Sequence, residues 1–543
     1  MHNTFTSLRD ENIAKLSDRE FDVLILGGGI NGAVSAAALT ARGAKVALID
    51  RQDFASGSSS NSSNLAWGGI KYLENGELFL VSKLCRSRNH LMRHYPSSVK
   101  EIRFFTTIRR GFRMPAIFVY LGALFYWFIG GCFTKPPRYL SRKTIKSEEP
   151  IVEVSDAIGG VEYSDCYLPD NDSRFVFKFI QRALRSGAVI ANYVEALGSS
   201  YSKGMWETKI RDANSNSEKL GIIRSKSIIN ACGPYVDTYN QLIGQDTEHR
   251  HVFSKGIHLI IDQISPSKKI LTFFASDGRL FFMIPMGNKT CIGTTDVRVP
   301  EPSSSVTDEG RQFVLDNVNA QLELATPLTL DHIIAERCGV RPLVLAKVDM
   351  KEDQDWVKLS RKHVIDSNAK DRFISIFGGK LTDCINVGNE AANLIQDFGL
   401  CSAESEDVWY GEPSASLKQE FLTKARAMNL DAQTPSSSLE PLSERFWRRY
   451  DERAFELLEL IKNDSNALNK PIEEIEYTVC ELQLMAKSEM ITHLDDFLRR
   501  RSKVTQVVAS KNVLADSGLV EICQILFGEN ADQKLQEYKQ RST

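Results

Sequence analysis

The apolar positions along the chain change their period in ways that predict successive elements. Phe21 to Leu26 reads FDVLIL, a nearly continuous apolar run of the kind found in a strand buried on both faces. A glycine turn follows. SAAALTARG then predicts a helix rich in small residues that stops at Gly43, and AKVALID, ending at Asp50, predicts a second strand. These pieces form one βαβ unit. Arg174 to Val194 gives a helix and a strand, and a β-rich stretch runs from there to about Val299. Within it, LFFMIPMGNKTCIGTTD predicts a hairpin that turns near Gly287 and Asn288. From Arg372 the order strand, glycine turn, helix returns. Residues 401–444, rich in Ser, Pro and Glu, read as a linker. The charged, helix-patterned remainder from Arg445 reads as a separate domain.

One stretch obeys neither period. Met114 to Phe133, MPAIFVYLGALFYWFIGGCF, is apolar all round and close to the roughly 20 residues that span a bilayer. Arg103, Arg109, Arg110 and Arg113 precede it, and Lys135, Arg138, Arg142, Lys143 and Lys146 follow. Basic residues on both sides place both ends on one anionic surface, and Pro115, Gly122, Gly130 and Gly131 interrupt a continuous span. Interfacial, monotopic insertion is therefore expected, with a buried hairpin and a true span as the alternatives.

Composition adds limits. The chain has 543 residues, enough for several domains, with 42% hydrophobic and 25% charged residues, as in ordinary globular proteins. The net charge of -2 provides no global basic field, so nucleic acid is not an expected partner. Ten cysteines are scattered without a CxxC or Cys/His cluster, so neither a metal site nor a disulfide framework is expected. The polar N-terminal twenty residues lack the apolar stretch of a secretory signal, and export is not expected.

Gly27, Gly29 and Gly32 form G-x-G-x-x-G between the first strand and the helix. Gly27 permits the tight turn, Gly29 lets a pyrophosphate approach the backbone, and Gly32 lets helix and strand pack closely. Asp50 ends the next strand, at the spacing of an acid that binds ribose hydroxyls. The pattern predicts dinucleotide binding. Ser59 and Ser60, in the hydroxyl-rich loop after Asp50, are placed to meet phosphates and flavin; the bland reading is a solvated Ser/Asn loop. NACGPYVD and FGGKLTD are further glycine turns after strands, as in a discontinuous flavin-binding domain that returns to its cofactor.

GGGINGA, the SSSNSS loop with GGIKYLE, GVEYSDC, NACGPYV, IGTTDV, GVRPL and FGGKLT follow one another, and IEYTVCELQLMAKSEMITHLDDFLRRRSKV lies near the end. Through these motifs nearly the whole chain resembles the FAD-dependent glycerol-3-phosphate dehydrogenases, membrane-associated enzymes that reduce quinone. The resemblance implies an α/β fold: an FAD-binding Rossmann-like domain of the glutathione-reductase/D-amino-acid-oxidase type, an inserted β-rich substrate domain and a C-terminal helical domain. The FAD-binding segments are expected at 20–110, 151–235 and 336–400, the membrane-associating insertion at 111–150 and the substrate domain at 236–335. The linker is expected at 401–444 and the helical domain at 445–543.

It also implies a reaction: sn-glycerol 3-phosphate, or a closely related polyol phosphate, loses a hydride to flavin and a proton to a base, and the electrons pass to membrane quinone. The expected cofactor contacts are Gly27, Gly29, Gly32, Asp50, Ser59, Ser60, Val194, Ala231, Gly233, Gly379, Lys380, Leu381 and Thr382. Lys71, Tyr72, Thr295, Arg341 and Lys380 are expected at the substrate. Arg341 is assigned electrostatic work, since an arginine stays protonated, and the base is open between His258, Lys255 and Lys380. A peripheral position on the cytoplasmic face of the inner (plasma) membrane, an anionic lipid surface and a homodimer complete the implied setting. The C-terminal helices are open between capping the active domain and binding a partner, and their basic run Arg499, Arg500, Arg501 and Lys503 reads as a solvated face.

Two departures bear on the substrate. The family usually reads Lys-Leu-Ile-His-Gly-Gly-x-Arg-Tyr where this chain has Asn64 to Tyr72, so Trp67 stands for the His and Lys71 for the Arg. After GGKLT, Asp383, Cys384 and Ile385 replace Thr-Tyr-Arg. They keep open a different secondary alcohol, hydroxy acid or amine as substrate of an oxidase or dehydrogenase, and a flavin-binding membrane module without catalysis.

Overall fold

The computed structural model describes residues 7–214, 220–275, 279–302, 305–349, 362–403, 408–436 and 438–542. The apolar run at the start forms the strand Glu20–Leu26, and its alternate side chains serve two cores. Val23 and Ile25 face one and Leu24 and Leu26 the other. It pairs in parallel with Val46–Ile49 and with Leu220–Asn230, which pairs in parallel with Phe373–Phe377. Leu26 stands level with both Ile49 and Asn230, so the turns that follow these strands open at one edge. Helices Ile30–Ala41, Asp172–Arg185 and Cys384–Asp397 cover one face through small and branched residues such as Ala37, Val176 and Ala391. An antiparallel arm, Val194–Ser202 with Met205–Asp212, and helix Leu8–Asp18 cover the other through Trp206, Ile210 and Leu16.

The second sheet takes strands from more of the chain than residues 236–335. Lys100–Arg109 pairs in parallel with Ile270–Phe274 and antiparallel with Ala157–Tyr167. Ala335–Ala346 pairs with His249–Asp262 along most of its length. Each expected FAD-side segment thus lends at least one strand to this sheet, because ladder pairing follows register across the fold rather than position in sequence. The predicted hairpin forms, with Leu280–Met286 and Lys289–Gly293 joined through Gly287.

The apolar stretch becomes helix Ala116–Ile129, begun after Pro115 and ended at Gly130. Its 14 residues extend about 21 Å, short of the roughly 30 Å of a bilayer core. Among the described residues no helix is long and apolar enough to cross a membrane. Nor is the helix a buried hairpin. Ala123 and Tyr126 face inward, while Ile117, Phe118, Leu121, Phe125 and Phe128 are exposed, Phe128 at 71%. Ion pairs engage Arg103, Arg109, Arg113, Arg138 and Lys146. Arg110, Lys135, Arg142 and Lys143 remain exposed around the helix.

The expected linker contains an ordered part of the helical domain. Ser414 caps helix Ala415–Ala427 by accepting from the Leu417 N–H, and Phe421 and Ala425 are buried in one core with Trp447, Leu484, Phe497 and Leu526. The Ser/Pro composition that reads as linker here supplies caps and turns. Residues 404–407 and 437 of that stretch lie outside the described residues.

Candidate active site

The glycine turn has no room for side chains. Gly27 has φ +99°, and a Cβ there would lie 2.5 Å from the Ala231 carbonyl oxygen. A Cβ on Gly32 would lie 1.9 Å from the oxygen of Gly27. Asp50 accepts from the Gly28 N–H at 2.7 Å and the Gln52 N–H at 2.8 Å. Burial pushes its carboxyl up to about 6 against the pull of these two donors. Ser59 Oγ accepts from the Ile30 N–H, at 3.1 Å, at the N-terminus of the helix. A bare turn, a helix N-terminus and an acid at the next strand end fit the pyrophosphate and ribose of FAD.

From Ile30 and Ser59 a cavity of about 320 Å³ runs between the two sheets to Arg341 and Lys380. Strand alternation sends Gly256 and His258 to its wall. The Arg341 guanidinium lies over Gly256, where a Cβ would be 2.1 Å from Nη2. Arg341 Nη1 donates to Asp296 Oδ1 at 3.2 Å, and Nη2 donates to Thr294 Oγ1 at 3.1 Å. The Ser254 hydroxyl donates to the same Asp296 oxygen. His258 is buried, and neither ring nitrogen has a hydrogen-bond partner among the described residues. Burial, then the charges of Arg337 and Arg341, bring its imidazole down to about 3, so it is neutral at physiological pH. Lys380 follows the turn Gly378–Gly379, both at positive φ, and its Nζ donates to the Tyr72 hydroxyl at 2.8 Å. Trp67, Tyr72 and Phe282 form an aromatic wall, with the Trp67 ring 6.2 Å from Tyr72 and 6.5 Å from Phe282.

Eight of the predicted residues meet at this cavity, and others do not. Ser59, Tyr72, His258, Gly379, Lys380, Leu381, Thr382 and Arg341 line the cavity. Lys71 is not among its lining residues, whereas Tyr72 is. Lys255 points to the opposite face of its strand, and its Nζ donates to the Ser305 carbonyl at 2.9 Å, so it is not brought to the reacting end. Thr295 is buried behind the wall, its Oγ1 accepting from the Ile257 N–H; the neighbouring Thr294 lines the cavity instead. Ser60, Val194, Ala231 and Gly233 do not line the cavity; Ala231 packs on Gly27, and the Val194 N–H donates to the Asp50 carbonyl at 2.8 Å.

Sequence reasoning missed His363, whose Nδ1 lies 3.0 Å from Asp383 Oδ2 and whose Nε2 lies 2.8 Å from Glu390 Oε2. Burial alone would raise the Asp383 carboxyl. The close ion pair with His363, the hydrogen bond from Asn386 and the charge of Lys83 bring it down to about 2. Asp383, a departure from the family pattern, therefore pins the turn that carries Lys380, and the Asp383 N–H donates to the Lys380 carbonyl. No spacing rule links His363 to this turn, since the two meet only through the fold.

A family model described as FAD dependent oxidoreductase matches residues 22–354. An aerobic glycerol-3-phosphate dehydrogenase of Bacillus subtilis is 29% identical over 518 residues, covering 92% of this chain and 90% of that protein. One of Staphylococcus saprophyticus is 28% identical over 539 residues, covering 94% and 93%. Among solved structures, a Bacillus halodurans glycerol-3-phosphate dehydrogenase complexed with FAD superposes with a TM-score of 0.74 at 22% identity, covering 98% of this chain and 97% of that one. An L-alpha-glycerophosphate oxidase from Mycoplasma pneumoniae with FAD bound gives 0.56 at 16% identity, over 73% and 98%. With its glycine turn, its half-buried acid and its cavity between two sheets, this chain belongs to the FAD dependent oxidoreductase family and uses FAD as its cofactor.

Proposed function

We propose that the protein oxidises the secondary alcohol of sn-glycerol 3-phosphate, or of a closely related polyol phosphate, to the ketone. One observation carries this reading: a pinned cation, Arg341, and a buried neutral imidazole, His258, stand along one wall of the cavity that begins at the FAD turn. The names of the two bacterial relatives support the choice of alcohol. Bound FAD supplies the acceptor for the carbinol hydride, so the side chains have to hold the alcohol and take its proton. Arg341 offers a fixed guanidinium to an anionic oxygen, and Lys380 adds a second cation across the cavity beside Tyr72. His258 accepts the hydroxyl proton. Its ring nitrogens have no partner among the described residues, and a dianion on Arg341 offsets part of the charge that holds the imidazole neutral. The aromatic wall excludes water.

An anaerobic titration with sn-glycerol 3-phosphate tests this reading. The flavin absorbance bleaches as substrate is added. A flavin that stays yellow with this substrate and bleaches with another polyol phosphate narrows the reading to that compound. One that stays yellow with all of them overturns it.

The exposed face of helix Ala116–Ile129, flanked by Arg110, Lys135, Arg142 and Lys143, supports docking on an anionic bilayer, with a quinone taking the electrons. Replacing Phe118, Phe125 and Phe128 by Asp releases the protein from anionic vesicles in a flotation assay. Unchanged flotation sinks the docking model.

A further inference from the structure

The arginine run Arg499–Arg501 is not a solvated face. It ends the π-type turn Asp496–Arg501 and reaches into the FAD-binding half of the molecule. Arg501 grips the fully buried Asp53 with both terminal nitrogens, Nη1 donating to Oδ2 and Nη2 to Oδ1, each at 2.8 Å. Arg500 Nε donates to Asp53 Oδ2 at 2.6 Å, and Asn192 Nδ2 donates to Oδ1 at 2.9 Å, which fills the carboxylate. Burial alone would raise Asp53, and the two arginines hold it well below the usual carboxylate range. Arg499 Nη2 donates to Asn61 Oδ1 at 2.8 Å. One residue on, the Ser62 carbonyl accepts from Arg337 Nη1 at 2.9 Å, and the other terminal nitrogen of Arg337 donates to Gln506 of the helical domain.

These anchor points sit on the two walls of the glycine turn. Just after Asp53, the Phe54 ring fills the space a Cβ on Gly28 would need, 2.6 Å away, and the Ala55 N–H donates to the Gly28 carbonyl at 3.0 Å. On the other side, Asn61 closes the short turn Ser58–Ser60, from which Ser59 takes the Ile30 N–H and Ser58 donates to the Val340 carbonyl at 2.6 Å. Both loops that shape the FAD turn are thus tied to the C-terminal domain.

We propose that the C-terminal helical domain is a positioning element of the FAD site, with Arg499, Arg500 and Arg501 holding the loops at Asp53 and Asn61 in the geometry that receives the cofactor. Arg499 acts through Asn61, and Arg500 and Arg501 act through Asp53. By linkage, bound FAD tightens the docking of the helical domain as much as docking tightens FAD. The inference concerns cofactor affinity and is independent of the substrate.

The test uses the full chain stripped of FAD and measures the FAD dissociation constant by quenching of flavin fluorescence. Arg499→Gln is expected to weaken FAD about tenfold, with partial recovery in Arg499→Lys. Lys178→Met removes another ion pair of the same interface, Lys178 Nζ to Asp451 at 2.8 Å, which contacts neither loop. It is expected to lower the denaturation midpoint and leave the FAD constant within about twofold. Asn61→Ala removes the other end of the Arg499 contact, and the double variant is expected to bind FAD no more weakly than Asn61→Ala alone. The proposal is overturned if Arg499→Gln binds FAD as the parent does, if Lys178→Met weakens FAD as much, or if the two loop variants simply add. Should Arg499→Gln not fold, Asn61→Ala compared with Lys178→Met decides it in the same way.

Discussion

Gly256→Ala isolates the placement of Arg341 from its charge. The glycine lies in a regular strand pairing, opposite Gly339, so an alanine is acceptable to its backbone. The added methyl would sit 2.1 Å from Nη2, 2.5 Å from Nη1 and 2.5 Å from Cζ of Arg341. These are the far end of a flexible side chain, so the guanidinium moves and the sheet does not. Leaving its place removes the hydrogen bonds to Asp296 and Thr294 and takes the cation away from the wall beside His258. A charge-assisted hydrogen bond to substrate is worth about 1.5–3 kcal/mol, which corresponds to a fall in kcat/KM of roughly 10- to 150-fold. Steady-state kinetics with a quinone analogue measures it, alongside flavin content and thermal unfolding. FAD loading is expected to match the parent, since no atom of the glycine turn is touched. A fully loaded Gly256→Ala protein with kcat/KM within twofold of the parent would refute the role given to Arg341.

Two further expectations concern titration. The folded value of His258, about 3, lies below its unfolded value of about 6.5, so the unfolded chain binds the extra proton between these pH values and stability falls as pH drops through that window. His258→Gln is expected to flatten the denaturant-measured fall by about 1.4 kcal/mol per pH unit in mid-window, and parallel curves would count against the buried neutral ring. Asp383→Asn leaves His363 with Glu390 as its remaining acidic partner. Because Asp383 and Glu390 raise the folded value of His363, its stabilising contribution is full below the unfolded value and is lost as pH rises through the folded one. The variant is therefore expected to lose about 3 kcal/mol near pH 6 and less at pH 9; an equal loss at both would remove His363 from the account.

What the chain reveals by itself is local. The run FDVLIL, the three glycines and Asp50 declare the FAD turn because their spacing is fixed within about thirty residues, and in the structure Gly27 and Gly32 leave no room for a Cβ while Asp50 accepts from the Gly28 N–H. The motif around Arg341 was legible through resemblance, and its partner Thr294 lay one residue from the expected Thr295 because strand alternation decides which hydroxyl faces the cavity. Lys255 was misplaced for the same reason, being one residue off the inward face that carries Gly256. The linker reading failed because serine and proline serve helix caps as readily as loops, and the arginine run was misread because a charged sequence does not name its buried partner.

That last failure has a physical cause that recurs in the fold. Isolated charges are too costly to bury, so each one in the interior implies a specific counter-charge brought from elsewhere in the chain. Asp165 is a second case. It accepts from Arg88 Nη1 at 2.9 Å, from the Tyr126 hydroxyl at 2.8 Å and from the Gly68 N–H at 3.0 Å, all out of contact with water. Tyr126 is an inward side chain of the apolar surface helix, and Gly68 follows Trp67 on the cavity wall. A Cβ on Gly68 would lie 2.2 Å from the Tyr126 oxygen, so the backbone there is shaped by the helix that carries the exposed aromatic face. Replacing such a node by well-packed apolar residues could leave stability unchanged, but it would remove the register that the carboxylate imposes on three separate segments. Asp53 does for the cofactor turn what Asp165 does for the aromatic wall. In both places a buried carboxylate ties a loop of the candidate site to an element that does not itself line the cavity.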